Sequence, residues 1–304
     1  MNCAVPILIS LDVHCCPAPE KEIALWLRES LKKLDNFSIK ATFFLPAVFA
    51  EKFARDVRMI LDEGHEIGCH GLTHDHGEQY NLMPYNKQKA TLYEAKKRIE
   101  EVTTSEIVSF RSPSYKINGN TIRALQENGF RVDSSVNPQR LGILSSDLTN
   151  IGWMYSPRKA YHPGFNNPFI AGEASLWEIP QSAFIFPFMS NTGMAFGGAF
   201  MKLFFRMLYT ESSFKGNQIV YMFHPEDICP NRYRRRYKFK WRHLLPSRRI
   251  GFEVRYALLD NKDPKKTSRQ IISLLEMMKN SNNIKFITFG EMLTLLENKN
   301  KRIV

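Results

Sequence analysis

The sequence predicts an α/β fold: a parallel sheet covered by helices, arranged either as a barrel or as an open doubly wound sheet. Three observations carry this. Short apolar runs of strand type alternate with amphipathic stretches at helical period along most of the 304 residues. With 43% hydrophobic and 24% charged residues, the chain is an ordinary globular one and long enough to bury a full core as one large domain. The residues able to do chemistry fall at the C-terminal ends of the strand-like runs, where such sheets build sites.

Taken in order, Pro6–Leu11 reads as a first core strand leading into Asp12. A helix follows at about Glu20–Leu34, with Ile23, Leu27, Leu31 and Leu34 on one stripe. Ile39–Phe44 is the next strand, Ala50–Glu63 a helix, and Glu66–Cys69 a short buried strand ending at His70. A helix at Asn86–Val102, a strand at Ile107–Phe110 and a helix at Asn120–Asn128 come next, the last stopped by Gly129. Further strands fit Phe130–Val132, Ser175–Ile179, Gln218–Phe223 and Ile284–Ile287. Helices fit Thr267–Lys279 and Glu291–Asn298, and Thr288-Phe289-Gly290-Glu291 is a capping-box pattern for the second of them. No internal repeat or low-complexity tract interrupts the series.

Five cysteines, an odd number without a C-x-x-C pattern, favour free thiols in a reducing compartment. Ala4–Leu11 reads as a core strand rather than a cleaved leader, so a cytoplasmic protein is expected. No apolar run reaches transmembrane length; the longest, Met194–Phe205, is broken by Gly197, Gly198 and Lys202.

The most informative segment runs from Gly64 to His74 and carries His70 and His74 four residues apart at the end of a strand. That step brings both imidazoles to one side of the following turn, and neutral imidazoles suit a divalent metal, zinc above all. An isolated pair of this kind more often caps or packs. Here it has company: Asp12 and His14 after the first strand, Arg111-Ser112-Pro113-Ser114-Tyr115 after the fourth, Asp133-Ser134-Ser135 after the fifth, and His224-Pro225-Glu226-Asp227 after Gln218–Phe223. Each alone has a plain reading as a turn cap or an ion pair. All of them opening toward one face of one sheet predicts a site.

Together these motifs resemble the polysaccharide deacetylase family, the NodB-homology domain of carbohydrate esterase family 4. The resemblance runs from Asp12 to His224. Lys40-Ala41-Thr42-Phe43-Phe44 resembles the strand before the family's metal loop, and Gly64–His74 resembles its second motif. Arg111–Tyr115 resembles its third, and Phe223-His224-Pro225 its fifth. Phe130–Ser135 and Leu176-Trp177-Glu178-Ile179-Pro180 resemble a branch with a long loop between these two segments. The resemblance implies a distorted (β/α) barrel of about seven parallel strands. It would form a single domain over residues 1–304, with a basic insertion at about 231–250 and C-terminal helices within 264–300.

It also implies metal-dependent removal of an N-acetyl group from an amino sugar or glycoconjugate. Amide hydrolysis needs an activated water, a charge sink for the oxyanion and a proton for the leaving amine. Asp12 would be the general base, His224 the acid, and Arg111 the cation that keeps Asp12 ionised. Pro113 and Tyr115 would line the substrate site, with the Tyr115 backbone N–H in the oxyanion hole. Asp133 or Glu178 would orient His224. One departure stands out: where the family carries a second acid in its first motif, this sequence has His14 in Ser10-Leu11-Asp12-Val13-His14. In an extended strand Asp12 and His14 share a face, so a His14–His70–His74 site for a divalent ion, zinc by preference, is expected. His76 reads as a surface or neighbouring imidazole, His65 as structural, and adjacent Cys15 and Cys16 as structural.

The formal charge is +12, and most of it comes from Arg232–Arg249, which holds nine Lys/Arg and no acid among aromatics. Such a segment suits an anionic membrane surface, a phosphorylated glycolipid or nucleic acid. The membrane is preferred and nucleic acid disfavoured, because the predicted chemistry suits a lipid-linked or nucleotide-linked amino sugar. That would make the protein peripheral at the inner face of the membrane. The same residues would also serve a deformylase or a ring-amide hydrolase. A non-catalytic sugar- or nucleic-acid-binding protein is the reading outside enzymology, and retention of Asp12 and His224 argues against it.

Overall fold

A computed structural model describes residues 4–14, 18–75, 77–139, 151–231, 241, 246–247, 251–252 and 263–301. Cys15, Cys16, His76 and all of Arg232–Arg249 except Trp241, Pro246 and Ser247 lie outside these residues, as does the reading placed on them.

The frame is a parallel sheet. Its strands are β1 (Val5–Asp12), β2 (Thr42–Leu45), β3 (Glu66–Cys69), β4 (Ser109–Phe110), β5 (Val132–Asp133) and β6 (Trp177–Glu178). Two later strands join it; with the short hairpins β7–β8 (Ala183–Phe184, Phe186–Pro187) and β10–β11 (Pro246–Ser247, Gly251–Phe252) counted, they are β9 (Ile219–Phe223) and β12 (Ile284–Phe286). Neighbours run β9-β1-β2-β3-β4-β5-β6, all parallel. β12 pairs with the first residues of β1, Val5–Ile7, while Ser10–Asp12 pair with β2.

Side chains bridge the seam between β6 and β9. Gln181 Nε2 donates to Val220 O at 2.9 Å and to Phe188 O at 2.8 Å, and Val220 N–H donates to Ser182 Oγ at 2.9 Å. The result is an incomplete, distorted (β/α) barrel.

Alternation along β1 decides what faces where. Ile7, Ile9 and Leu11 point outward into a core shared with the helices, against Ile23, Leu27, Leu31 and Leu34 of α1 (Glu20–Asn36). Leu8 points inward with Phe44, Val220 and Ile179, and that inner layer is closed by Phe289, Met292, Leu293 and Leu296. The next inward positions on β1 are Ser10 and Asp12, followed by His14, so the barrel interior turns from apolar to polar toward the C-terminal ends of the strands.

Among the described residues the remaining α-helices are α2 (Ala47–Lys52), α3 (Ala54–Asp62), α4 (Tyr85–Thr103), α5 (Gly119–Glu127), α6 (Ser190–Phe196), α7 (Gly198–Lys215), α8 (Pro264–Lys279) and α9 (Phe289–Asn300). The predicted Ala50–Glu63 helix is two helices. The backbone leaves helical values at Phe53 (φ −115°, ψ 34°), where its ring stacks on Phe49 at 4.5 Å and stays buried. The Met194–Phe205 run is likewise divided, at Gly197 with φ +92°. No helix among the described residues is long and apolar enough to cross a membrane.

Candidate active site

Arg111 is the hub of the polar interior. It is fully buried, and its guanidinium ties three strands together. Nη1 donates to Asp12 Oδ1 at 2.7 Å and to Ser10 Oγ at 2.8 Å, Nε to Ser134 O at 3.1 Å, and Nη2 to Ser134 Oγ at 2.9 Å. The Phe44 ring centroid lies 4.3 Å from Cζ, in cation–π range. Burial alone would raise the Asp12 carboxyl; the charge of Arg111, with His70 and His224 beside it, outweighs burial and holds Asp12 below its usual range. Asp12 is an ionised carboxylate.

Three imidazoles face it. The ligand atoms of His14, His70 and His74 all lie within 4.8 Å of one another. His70 is anchored by Nδ1, 2.7 Å from the Arg111 carbonyl oxygen; that acceptor assigns the proton to Nδ1 and turns the Nε2 lone pair toward the other rings. Burial pushes His70 down to about 4 and, with neighbouring imidazoles, drives His14 well below its ordinary value. His74 is lowered as well, chiefly by burial. All three are neutral donors near pH 7. His14 Nδ1 is buried and has no hydrogen-bond partner among the described residues. A buried lone pair without a donor, beside two more neutral nitrogens, fits a divalent ion of borderline softness.

The loop that carries His74 is shaped by Glu78, which the sequence did not single out. Its carboxylate accepts from the backbone N–H groups of Leu72 (2.6 Å), Thr73 (2.7 Å) and His74 (2.9 Å), from Thr73 Oγ1 (2.9 Å) and from Tyr80 OH (2.6 Å). His74 is held with φ +63°. Gly71 makes room: with φ +87°, a Cβ there would lie 2.5 Å from Glu78 Oε1 and 3.2 Å from Pro113 Cγ. Successive amides wrapped on one carboxylate form a recognisable nest, but five residues of loop hide it from any periodicity.

His224 stands on the other side, its ring 4.7 Å from that of His14. The expected orienting acids were Asp133 or Glu178; the acid that meets it is Asp227. Asp227 Oδ2 lies 3.2 Å from His224 Nδ1, accepts from the His224 backbone N–H at 3.2 Å, and accepts from Ser190 Oγ at 2.7 Å. Burial pulls the imidazole down, but the hydrogen bond and charge of Asp227 prevail and lift it to about 9. A signal was present: Pro225 at the first position of a turn makes His224 its cap and puts Asp227 three residues on, in capping-box register.

Asp133 and Glu178 instead face each other as register partners on β5 and β6. Both are fully buried. Ser135 Oγ donates to Asp133, and Val136 N–H donates to Glu178 Oε1 at 3.0 Å. Burial raises Asp133 to about 6, and burial plus the charge of Asp133 raises Glu178 well above its ordinary value, so the pair shares a proton. The Tyr115 N–H, expected in the oxyanion hole, donates to Ser112 O at 2.9 Å. The bond closes the tight turn Pro113–Tyr115, which has positive φ at Ser114 and Tyr115. Pro113 and Tyr115 are both buried there. His65 is structural, accepting the Ala41 N–H on Nδ1 at 3.0 Å.

Comparison with known proteins gives the following. Residues 22–132 match the family model described as polysaccharide deacetylase. A peptidoglycan deacetylase of Helicobacter pylori is 28% identical over 162 residues, 51% of this chain and 52% of that protein. A peptidoglycan-N-acetylglucosamine deacetylase of Bacillus cereus is 33% identical over 102 residues, 34% of this chain and 36% of that protein. The chain thus spans about half or less of the length of these curated relatives. Among solved structures, a Mycobacterium smegmatis protein assigned as a polysaccharide deacetylase superposes with TM-score 0.65 at 16% identity, covering 99% of this chain and 92% of that one. Puue allantoinase superposes with TM-score 0.57 at 15% identity, covering 96% and 90%. These two likenesses concern the fold.

Proposed function

We propose, for a chain whose residues 22–132 match the model of the polysaccharide deacetylase family, a divalent-metal hydrolase that removes the acetyl group from the nitrogen of an amino sugar or glycoconjugate. The observation that carries this reading is the convergence of three neutral imidazoles between an ionised Asp12 and a protonated His224. His14, His70 and His74 would hold the ion, and an all-nitrogen set selects zinc over magnesium or calcium. When bound, such an ion supplies Lewis acidity toward the acetyl carbonyl and toward water.

The chain's own residues do the proton work. Asp12, kept anionic by Arg111, takes a proton from the attacking water as its oxygen bonds to the acetyl carbon. His224, kept cationic by Asp227, gives its proton to the amide nitrogen as the C–N bond breaks. Acetate and a free amino sugar result, and the proton on Asp12 returns to solvent or to His224. Base and acid are separate groups with separately tuned charge states, the division that hydrolysis near neutral pH requires.

We place the reaction in the cytoplasm, on an amino sugar carried by a lipid or nucleotide. The test is metal content followed by acetate release. Purified protein should carry near-stoichiometric zinc, lose it in a His70→Ala/His74→Ala variant, and release acetate from N-acetylglucosamine conjugates. Metal-free protein that stays folded and inert on every N-acetyl sugar would end this reading. Release of formate, or opening of a ring amide, would keep the residue roles and change the substrate.

A further inference from the structure

The outer face of α7 is apolar where a solvent-facing helix should be polar. Met201, Phe204, Phe205 and Leu208 bury one side of the helix in the core. On the other side Leu203, Met207 and Phe214, at spacings of four and seven, form a second stripe with exposures of 56%, 47% and 86%. The patch continues past the helix. Phe196, at the end of α6, is 49% exposed and meets the Phe186 ring at 4.6 Å, which joins the β7–β8 hairpin to the helices. At the tip of that hairpin Phe184 and Ile185 are also exposed, and Arg158, lying over the Phe184 ring, pairs with Glu211 of α7. An exposed apolar surface of this continuity marks an interaction site.

Charge decides its occupant. Lys202 and Arg206 flank the stripe on one side and Lys215 on the other. Glu211, the one acid in α7, is engaged by Arg158 and Lys215. A second copy of this chain would bring cation against cation, in a protein of formal charge +12. Apolar side chains rimmed by cations instead match a bilayer with anionic headgroups, the chemistry of interfacial helices. We propose that α7, the end of α6 and the β7–β8 hairpin form a docking face for an anionic membrane surface. It includes no residue of Arg232–Arg249. It also adjoins the candidate site: Ser190, the first residue of α6, donates to the same Asp227 oxygen that meets His224. A substrate held at the membrane would present itself beside the acid.

Sedimentation of the full chain with vesicles tests this without any turnover, so its outcome is separate from that of the hydrolase reading. The parent should bind phosphatidylcholine vesicles containing phosphatidylglycerol, less so at high salt, and bind pure phosphatidylcholine weakly. A Leu203→Glu/Met207→Glu/Phe214→Ser variant should lose roughly tenfold or more of that binding, with its circular dichroism and zinc content unchanged. Lys202→Gln/Arg206→Gln, which leaves the stripe intact, should reduce the salt dependence. Sedimentation velocity should report a monomer for all of them. The proposal is overturned if the parent has no preference for anionic vesicles, if the triple variant binds like the parent, or if the patch proves to mediate a dimer.

Discussion

Removing the Glu78 carboxylate should loosen His74 before it unfolds the protein. Five donors converge on Glu78, and those from the backbone of Leu72, Thr73 and His74 hold the loop that carries His74. Hydrogen bonds to a charged acceptor contribute about 1.5–3 kcal/mol each when both partners are present. The three amides belong to half-buried residues that water can partly reach, so they count toward the low end; Tyr80 is fully buried, and its hydroxyl would be left without an acceptor at about 1–3 kcal/mol. With non-additivity, Glu78→Ala should destabilise the fold by about 3–5 kcal/mol. Glu78→Gln, which keeps one good acceptor oxygen, should lose about half as much. The left-handed backbone at His74 is the part that then relaxes, because such a conformation persists only where its surroundings enforce it.

Zinc titration by calorimetry should therefore show affinity falling by about tenfold or more in Glu78→Gln, alongside a lower unfolding temperature. The acid limb has a definite sign. Burial favours the neutral Glu78, but the bonds from Tyr80, Leu72, Thr73 and His74 outweigh it and lower the carboxyl. Its stabilisation is complete above the ordinary value of 4.5 and is lost as pH falls through the lower folded value. Zinc affinity within threefold of the parent in Glu78→Gln, with unchanged acid unfolding, would refute this account of the loop.

Two further predictions concern the proton-handling groups. Asp12→Asn should abolish acetate release while zinc content stays near that of the parent, since a base is removed and not a ligand; Arg111, left buried without its counter-ion, should lower stability by up to about 3–5 kcal/mol in thermal unfolding. Asp227→Asn should drop His224 from about 9 toward its ordinary 6.5, so the alkaline limb of kcat/KM moves to lower pH. The stability from that raised imidazole is complete below 6.5 and is lost as pH rises through about 9, so the variant should forfeit it in urea unfolding at neutral pH and differ little at pH well above 9.

What the sequence made legible follows from periods and short spacings. Alternation along β1 put Leu8, Ser10, Asp12 and His14 on one face, and the structure brings His14 to His70 and His74. That Arg111 would meet Asp12 followed from the resemblance to the deacetylase family, and the pair lies 2.7 Å apart. Groupings set by tertiary register were not. Asp133 and Glu178 lie far apart in sequence, and only the pairing of β5 with β6 brings them together and away from His224. Glu78 acts through loop amides that carry no periodic signal. The break at Phe53 reflects a ring seeking the core, which helix propensity does not encode.

The position of β1 sets the order in which this molecule can be completed. Asp12 and His14 stand at the end of β1, yet two of that strand's partners, β9 and β12, follow it in sequence by about 200 residues or more. Contacts of such long sequence separation form slowly, because the intervening loop must close before they stabilise anything. A nascent or partly refolded chain can hold β1 against β2 and β3 while the His224 wall is still missing. Acquisition of the complete site is then a late event in folding, and recovery of activity should lag behind recovery of helical signal during refolding.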